Sequence, residues 1–419
     1  MPISAEAGAL PWLRRVPAMV AMVLVAAVAW HLRGSDSADP PVPQPAGVPV
    51  VRLAAAGQPV PVLIVPNRPG RNLVHVAAPQ GVSVGTDRGR LATAAARPGA
   101  SGSWAEVRLP AGPSRLWIAR GGHLAALEID TGAAATTAPG PDGDVTGPDG
   151  PECASAVLGR LAAGTTTPVT SCPASALTAA DAAALHGTIR FLAQRGQRAI
   201  SLAADGSPRS VAAAALVRAD SAAAGITVGS GGPLVVVAGW AAADRALTAR
   251  AGDPTRGAAG AYLAPWLLHA PLQEAAIAQL VPLGYSPRDP LPMQYLAALQ
   301  GRFPDEPASA SGYAAWRQAR GLGPEDQPRL YAAARLTVPG VPDDHVHGGG
   351  WLPHGTITPV TAVLDGTPAG EVTGPVTPPP PARRDRCRTT TGCPPGRAPR
   401  SPASRSRCRS ARGRRWPRP

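Results

Sequence analysis

No lysine occurs anywhere in the 419 residues, and Phe appears only twice. Without lysine no P-loop can be built, and neither G-x-G-x-x-G nor H-E-x-x-H is present, so common nucleotide and zinc-protease chemistries have no support. An enzyme is therefore not expected. The shortage of Phe leaves packing to Ala, Gly, Pro and the small aliphatics, although a hydrophobic content of 44% still allows sizeable cores. Cysteine is sparse as well. Two of the five, Cys153 and Cys172, lie in the body of the chain, and neither has a C-x-x-C neighbour, which argues against zinc. In a chain that reads as exported, the pair is expected to close a disulfide across a small loop, the alternative being two free buried thiols.

The net charge of +13 is not spread along the chain. Between Arg383 and Pro419 there are 13 Arg against the single acid Asp385, so the preceding residues carry 27 Arg against 26 acids and are close to neutral. Nucleic-acid binding by the folded body is not expected.

Long apolar runs are confined to one place. Val16 to Trp30 carries no charge, follows Arg14-Arg15, and contains Ala27-Val28-Ala29 as a cleavage candidate. As a helix it would span roughly 22 Å against a hydrocarbon core of ~30 Å, which suits a signal peptide or a short membrane anchor. The expected location is the cell membrane, single-pass with extracytoplasmic domains, or secretion after cleavage. Residues 1–34 are assigned to this segment and 35–49 to a Pro-rich spacer.

Residues 50–130 read as a β-sandwich-like domain of five to seven short strands. Val60–Val65, Leu73–Val76, Trp104–Leu109, Leu116–Ala119 and Leu124–Ile129 alternate with Gly, Pro and Asn turns. Residues 131–151, rich in Gly, Pro, Thr and Asp, read as a linker. The period then changes. Thr178 with Asp181 predicts a helix start, Leu185, Ile189 and Leu192 its apolar face, and Gly196 its end. Strands at Ala199–Ala203, Leu234–Ala238 and Gly260–Ala264 alternate with helices at Arg209–Ala224 and Trp240–Arg250, which predicts an α/β lobe with a parallel sheet over 152–335. Residues 336–364 form a His-containing loop and a strand at Thr356–Val360 that is expected to return to the β domain. Residues 365–419 make up a disordered Arg/Pro-rich tail, whose abrupt composition also reads as a shifted reading frame.

Several phrases of the α/β region resemble extracytoplasmic solute-binding proteins of the branched-chain amino-acid and amide type. They are Leu202-Ala203-Ala204-Asp205, Ser207-Pro208-Arg209-Ser210, Ala222 to Val228, Val235 to Trp240, Tyr262 to Trp266, and Phe303-Pro304-Asp305-Glu306-Pro307 with Gly312-Tyr313. The resemblance implies a periplasmic-binding-protein-like lobe, a small-molecule ligand, and a membrane transporter of the ABC type or a homodimer as partner. Asp205, Ser207, Arg209, Trp240 and Trp266 would then face the ligand from the carboxyl ends of parallel strands, offering an acid, an Arg and aromatic walls. The same residues also read as a turn, a helix cap and packing groups. The family uses two α/β lobes, whereas this chain has room for one, so the β domain or a second copy would supply the opposite wall.

Val65-Pro66-Asn67-Arg68-Pro69-Gly70-Arg71-Asn72 resembles the turn of small sandwich domains found beside bacterial copper-transport proteins. Asp343-Asp344-His345-Val346-His347 with His354 is the one concentration of metal-ligand types, suited to Cu(II) or Zn(II); a solvated Gly-rich loop explains it equally. Three functions stand side by side: a non-enzymatic, membrane-tethered solute-binding or sensing protein, an extracytoplasmic copper- or zinc-binding module without other cofactors, and a structural docking protein with a degenerate ligand lobe.

Overall fold

The computed structural model describes residues 47–78, 80–133, 145–168, 170–253, 259–335, 350–353 and 355–365. The apolar run at 16–30, most of the spacer, His345, His347, His354 and the tail beyond Asp365 lie outside them. No described helix is long and apolar enough to cross a membrane.

Eight strands, rather than five to seven, form the first region. β1 (Val50–Ala56), β2 (Gln58–Val65), β3 (Gly70–Val76) and β6 (Ser103–Leu109) make one antiparallel sheet. The second comprises β5 (Arg90–Thr93), β4 (Val82–Asp87), β7 (Pro113–Arg120) and β8 (His123–Asp130). Val60, Val62 and Ile64 of β2 and Val74 and Val76 of β3 meet Val84, Leu116, Ile118 and Ile129 of the second sheet in a shared core. Alternation sends Leu63, Val65, Leu73 and Trp104 to the opposite face of the first sheet, where they join the core of the α/β region. The first sheet is thus buried on both faces, which is why β2 reads as a continuous apolar run rather than an alternating one. Between β2 and β3, the Asn72 side chain accepts from the Asn67 and Arg68 amides (2.8 and 3.3 Å) and donates to the Arg68 and Gly70 carbonyls (2.8 and 3.1 Å). One amide group so fixes the whole turn, with Asn67 at φ 62°.

Residues 145–151 do not behave as linker. Val145 is fully buried, and α1 (Gly150–Ala162) starts inside the assigned linker. α2 (Ala179–Gln194) opens as the sequence predicts, the Thr178 hydroxyl accepting from the Asp181 amide at 3.1 Å. There follow β9 (Ala199–Ala203), α3 (Pro208–Ala223), β10 (Thr227–Gly229), β11 (Leu234–Val236), α4 (Trp240–Ala251), β12 (Ala261–Leu263) and β13 (Gln279–Leu283). α5 (Pro290–Arg302), α6 (Ala310–Ala319), β14 (Arg329–Arg335) and β15 (Gly355–Val363) complete the order. The seven-stranded sheet runs β10-β9-β11-β12-β13-β14-β15, parallel through β13 and antiparallel beyond. Chain direction across the sheet reverses between β9 and β11, the place where open α/β sheets form a crevice at their carboxyl edge.

β15 corrects an expectation. It pairs with β14 at the edge of the α/β sheet and does not return to the sandwich. Tyr331 and Ala333 of β14 and Ile357 of β15 are buried there, so the hydrophobic gain lies on the α/β side.

Candidate functional site

The crevice between β9 and β11 is filled by the chain itself. Asp205, just past β9, accepts from the Ser207 amide and hydroxyl (2.9 and 2.7 Å) and from the Gly239 amide (2.6 Å), lacing the ends of the two strands together. Burial would raise its pKa, but the bonds from Ser207 and Gly239 outweigh that and hold the carboxyl below its usual range. Ser207 caps α3 through the Ser210 amide at 3.4 Å. A Cβ on Gly239 would lie 1.8 Å from Asp149 Oδ1, so no room is left for a ligand at the strand end.

Trp240 is enclosed. It stacks on His269 with ring centroids 3.8 Å apart, and its Nε1 donates to the Trp266 carbonyl at 3.2 Å. Burial pushes the His269 imidazole down to about 3, so it is neutral and packs as an aromatic. Trp266 in turn donates from Nε1 to the Ala238 carbonyl at 2.9 Å. Sandwich residue Gly99 sits against the Trp240 carbonyl, a Cβ there falling 2.7 Å away. The β region therefore closes over the strand ends where the sequence suggested an aromatic wall.

Arg209 is engaged as well. Its Nη1 and Nη2 donate to both Glu152 oxygens at 2.7 and 2.6 Å, and the Ser311 hydroxyl donates to the same carboxylate at 2.5 Å. The pair is buried, with side-chain exposures of 3% and 0%. Burial works against the guanidinium charge, yet Glu152 raises the Arg209 pKa overall. Its Cζ lies 4.3 Å from the Trp266 ring centroid, and only Nε has no partner among the described residues.

Open space lies farther along the carboxyl edge. A cleft of about 500 Å³ opens beyond β12 and β13, between the start of α2, one face of α6 and the loop that follows Cys172. Of the five residues singled out in the sequence, Arg209 and Trp266 border it, while Asp205, Ser207 and Trp240 do not. The disulfide between Cys153 and Cys172, Cα atoms 5.0 Å apart, fastens that loop to α1. α6 is held by a close crossing, since a Cβ on Gly159 of α1 would lie 2.0 Å from the Gly312 carbonyl.

Three cleft residues had no sequence signal for this role. Asp181 reads as part of a helix cap, and among the described residues its one side-chain hydrogen-bond partner is the Thr178 hydroxyl at 2.7 Å. Burial raises its pKa. Glu325 follows a Gly- and Pro-rich turn; burial first, then the Asp181 and Asp326 charges, raise it to about 7, with Arg317 opposing at 4.0 Å. Tyr285, 9% exposed, has a buried hydroxyl without a partner among the described residues. Asp181, Glu325 and Tyr285 all border the cleft. The cleft offers two carboxyls destabilised by burial, a hydroxyl without a partner among the described residues, the Arg160 guanidinium, and a Trp, Pro and Ala wall.

Among the described residues, no group of three or more His, Cys, Asp and Glu is placed to hold a metal. Gly81-Val82-Ser83-Val84-Gly85 has the G-x-S-x-G spacing of a nucleophile elbow. Ser83, however, lies along β4, paired with Thr93 and Ala119 of neighbouring strands, rather than on a strand-to-helix turn.

No protein-family model matches the chain. No curated protein matches it either. Among solved structures, an ABC transporter substrate-binding protein from Desulfitobacterium hafniense in complex with Leu is similar over 33% of this chain and 47% of that one, with a TM-score of 0.26 and 12% identity. The chain spans less than half of that protein's length, and so slight a likeness says nothing about what the cleft binds.

Proposed function

We propose that this chain is a non-enzymatic, membrane-tethered extracytoplasmic protein that captures or senses a small molecule, an amino acid or a related compound, in the cleft beyond β12 and β13. The observation that carries the reading is the cleft itself. Its volume of about 500 Å³ is that of a small-molecule site, and it lies at the carboxyl edge of a parallel sheet with Tyr285 Oη and Arg209 Nε unpartnered among the described residues. Apolar walls with a few convergent polar groups are what such sites need. The apolar run behind Arg14-Arg15 supports the tether, and the Cys153–Cys172 disulfide fits an oxidising compartment.

A ligand at a hundred times its Kd stabilises the native state by about 2.7 kcal/mol. The full chain should accordingly melt several degrees higher with at least one pool of amino acids, amides or amines. The reading is abandoned if no pool moves the transition and Trp266 and Tyr285 lie inert in the same titrations by fluorescence.

A further inference from the structure

We infer that the outer face of the second sandwich sheet is a platform for an acidic saccharide, with Trp117 stacking on its sugar rings and Arg88 and Arg90 pairing with its carboxylates. This surface is separate from the cleft, and the inference does not depend on what the cleft binds.

Six tryptophans lie among the described residues, and five of them are buried: Trp104, Trp240, Trp266, Trp316 and Trp351. Trp117 is the exception, half-buried and part of neither hydrophobic core. Alternation explains its direction, since Leu116 and Ile118 on either side of it point into the sandwich. Strand register sets Gly85 of β4 on one flank of Trp117 and Ala126 of β8 on the other, and Ser83, Ala119 and Leu124 make the next row. Ala126 is exposed and Leu124 is 36% exposed, so this face lies open. One large ring on flat ground of small residues suits a second flat apolar surface, such as one side of a pyranose. A lipid surface would call for several protruding apolar side chains instead.

Charge complementarity selects among saccharides. The Arg88 guanidinium carbon lies 5.8 Å from the Trp117 ring centroid, and neither Arg88 nor Arg90 makes an ion pair among the described residues. The other charges of this face are committed: Asp87 Oδ1 accepts from the Gly89 amide at 2.8 Å, and Arg115 donates to Glu128 at 2.5 Å. Three Arg thus stand against two acids, and the two uncommitted cations flank Gly89 at the turn from β4 to β5. A guanidinium meets a carboxylate with two parallel bonds, which makes a uronate a better match than a neutral sugar. Ser83 and Thr93, paired in register on the same face, add hydroxyls that can both donate to and accept from a sugar.

The probe is hexagalacturonate, titrated into the full chain by calorimetry in roughly 0.3 M NaCl to screen the Arg-rich tail. It should bind severalfold more tightly than maltohexaose and than polyglutamate of equal charge. Trp117→Ala should weaken it about tenfold, and the paired change Arg88→Ala with Arg90→Ala severalfold. Ala126→Glu sets a carboxylate beside the ring at an exposed position and should also weaken binding severalfold, with the melting temperature within a few degrees of the parent. That variant tests the face without removing the indole. Absence of hexagalacturonate binding overturns the inference, as does affinity unchanged in both Trp117→Ala and Ala126→Glu. Polyglutamate binding as tightly as the saccharide overturns it too, because the tail charges alone would then account for the result. Maltohexaose binding equally well removes the role of the two Arg and overturns it as well. Phosphatidylglycerol vesicles bound through Trp117 in place of the saccharide would make the face a membrane contact and likewise overturn it.

Discussion

Arg209 and Glu152, 57 positions apart, face each other through two parallel hydrogen bonds of 2.7 and 2.6 Å, both side chains buried. The bond pair joins α3 to α1 and positions Ser311 of α6, so three helices around the cleft meet at one carboxylate. Removing one partner strands the other charge. Arg209→Met and Glu152→Leu should each cost roughly 3 to 5 kcal/mol, while the double change to Met and Leu recovers most of the loss. Urea denaturation of the four-member cycle measures this, and single variants within about 1 kcal/mol of the parent would contradict the account.

Glu325 makes stability depend on pH in a direction opposite to most acids. Its native pKa of about 7 lies above the ordinary 4.5, so the folded chain holds the proton more tightly than the unfolded chain. The contribution is fully present below about pH 4.5 and is lost as pH rises through about 7. Asp181, Asp326 and Arg317 are the charges acting on it. Glu325→Gln should therefore be more stable than the parent at pH 8 by an amount on the order of 2 kcal/mol, with the gap closing near pH 5. A gap independent of pH would show that the carboxyl is solvated.

The Cys153–Cys172 link closes a loop of sequence separation 19. Replacing both with Ser should lower stability by about 3 kcal/mol on the loop-entropy account and expose residues 163–171 to proteolysis ahead of the rest. Equal cleavage rates with and without the bond would rule out its role in fastening the cleft rim.

Gly159 and Gly301 offer a paired test of helix packing. A Cβ at Gly159 collides with the Gly312 carbonyl, whereas one at Gly301 in α5 meets nothing within 4 Å. Gly159→Ala should cost about 1 to 3 kcal/mol and Gly301→Ala should gain up to about 1 kcal/mol. Thermal melts of both variants side by side decide it.

Local chemistry made much of the α/β region legible. Thr178 and Asp181 set the start of α2, Gly196 its end, and β9 falls on the predicted Ala199–Ala203. What escaped is nonlocal or locally contradictory. Pro282 interrupts β13, and the Ala332-Ala333-Ala334 run of β14 favours a helix on propensity alone. Only pairing across the sheet makes them strands. The destination of β15 depends on β14 in the same way. In the site, Asp205 and Ser207 were identifiable as a turn and cap, the plainer of their two readings. Asp181, Tyr285 and Glu325 could not be grouped, because their proximity is set by the order of strands β12 and β13 and by the position of α6, neither of which is written in any local pattern.

The first sheet of the sandwich has hydrophobic contacts on both sides, and this decides how the molecule can move. Swinging that region away from the α/β part would expose Leu63, Val65, Leu73 and Trp104 together, at a cost on the order of 10 kcal/mol. A jaw-like motion between halves is thereby denied to this chain. What borders the cleft on that side is the short stretch from Cys172 to Thr178, anchored at one end by sulfur and at the other by a helix cap, so that any widening of the cleft there is confined to a few residues bending at the rim.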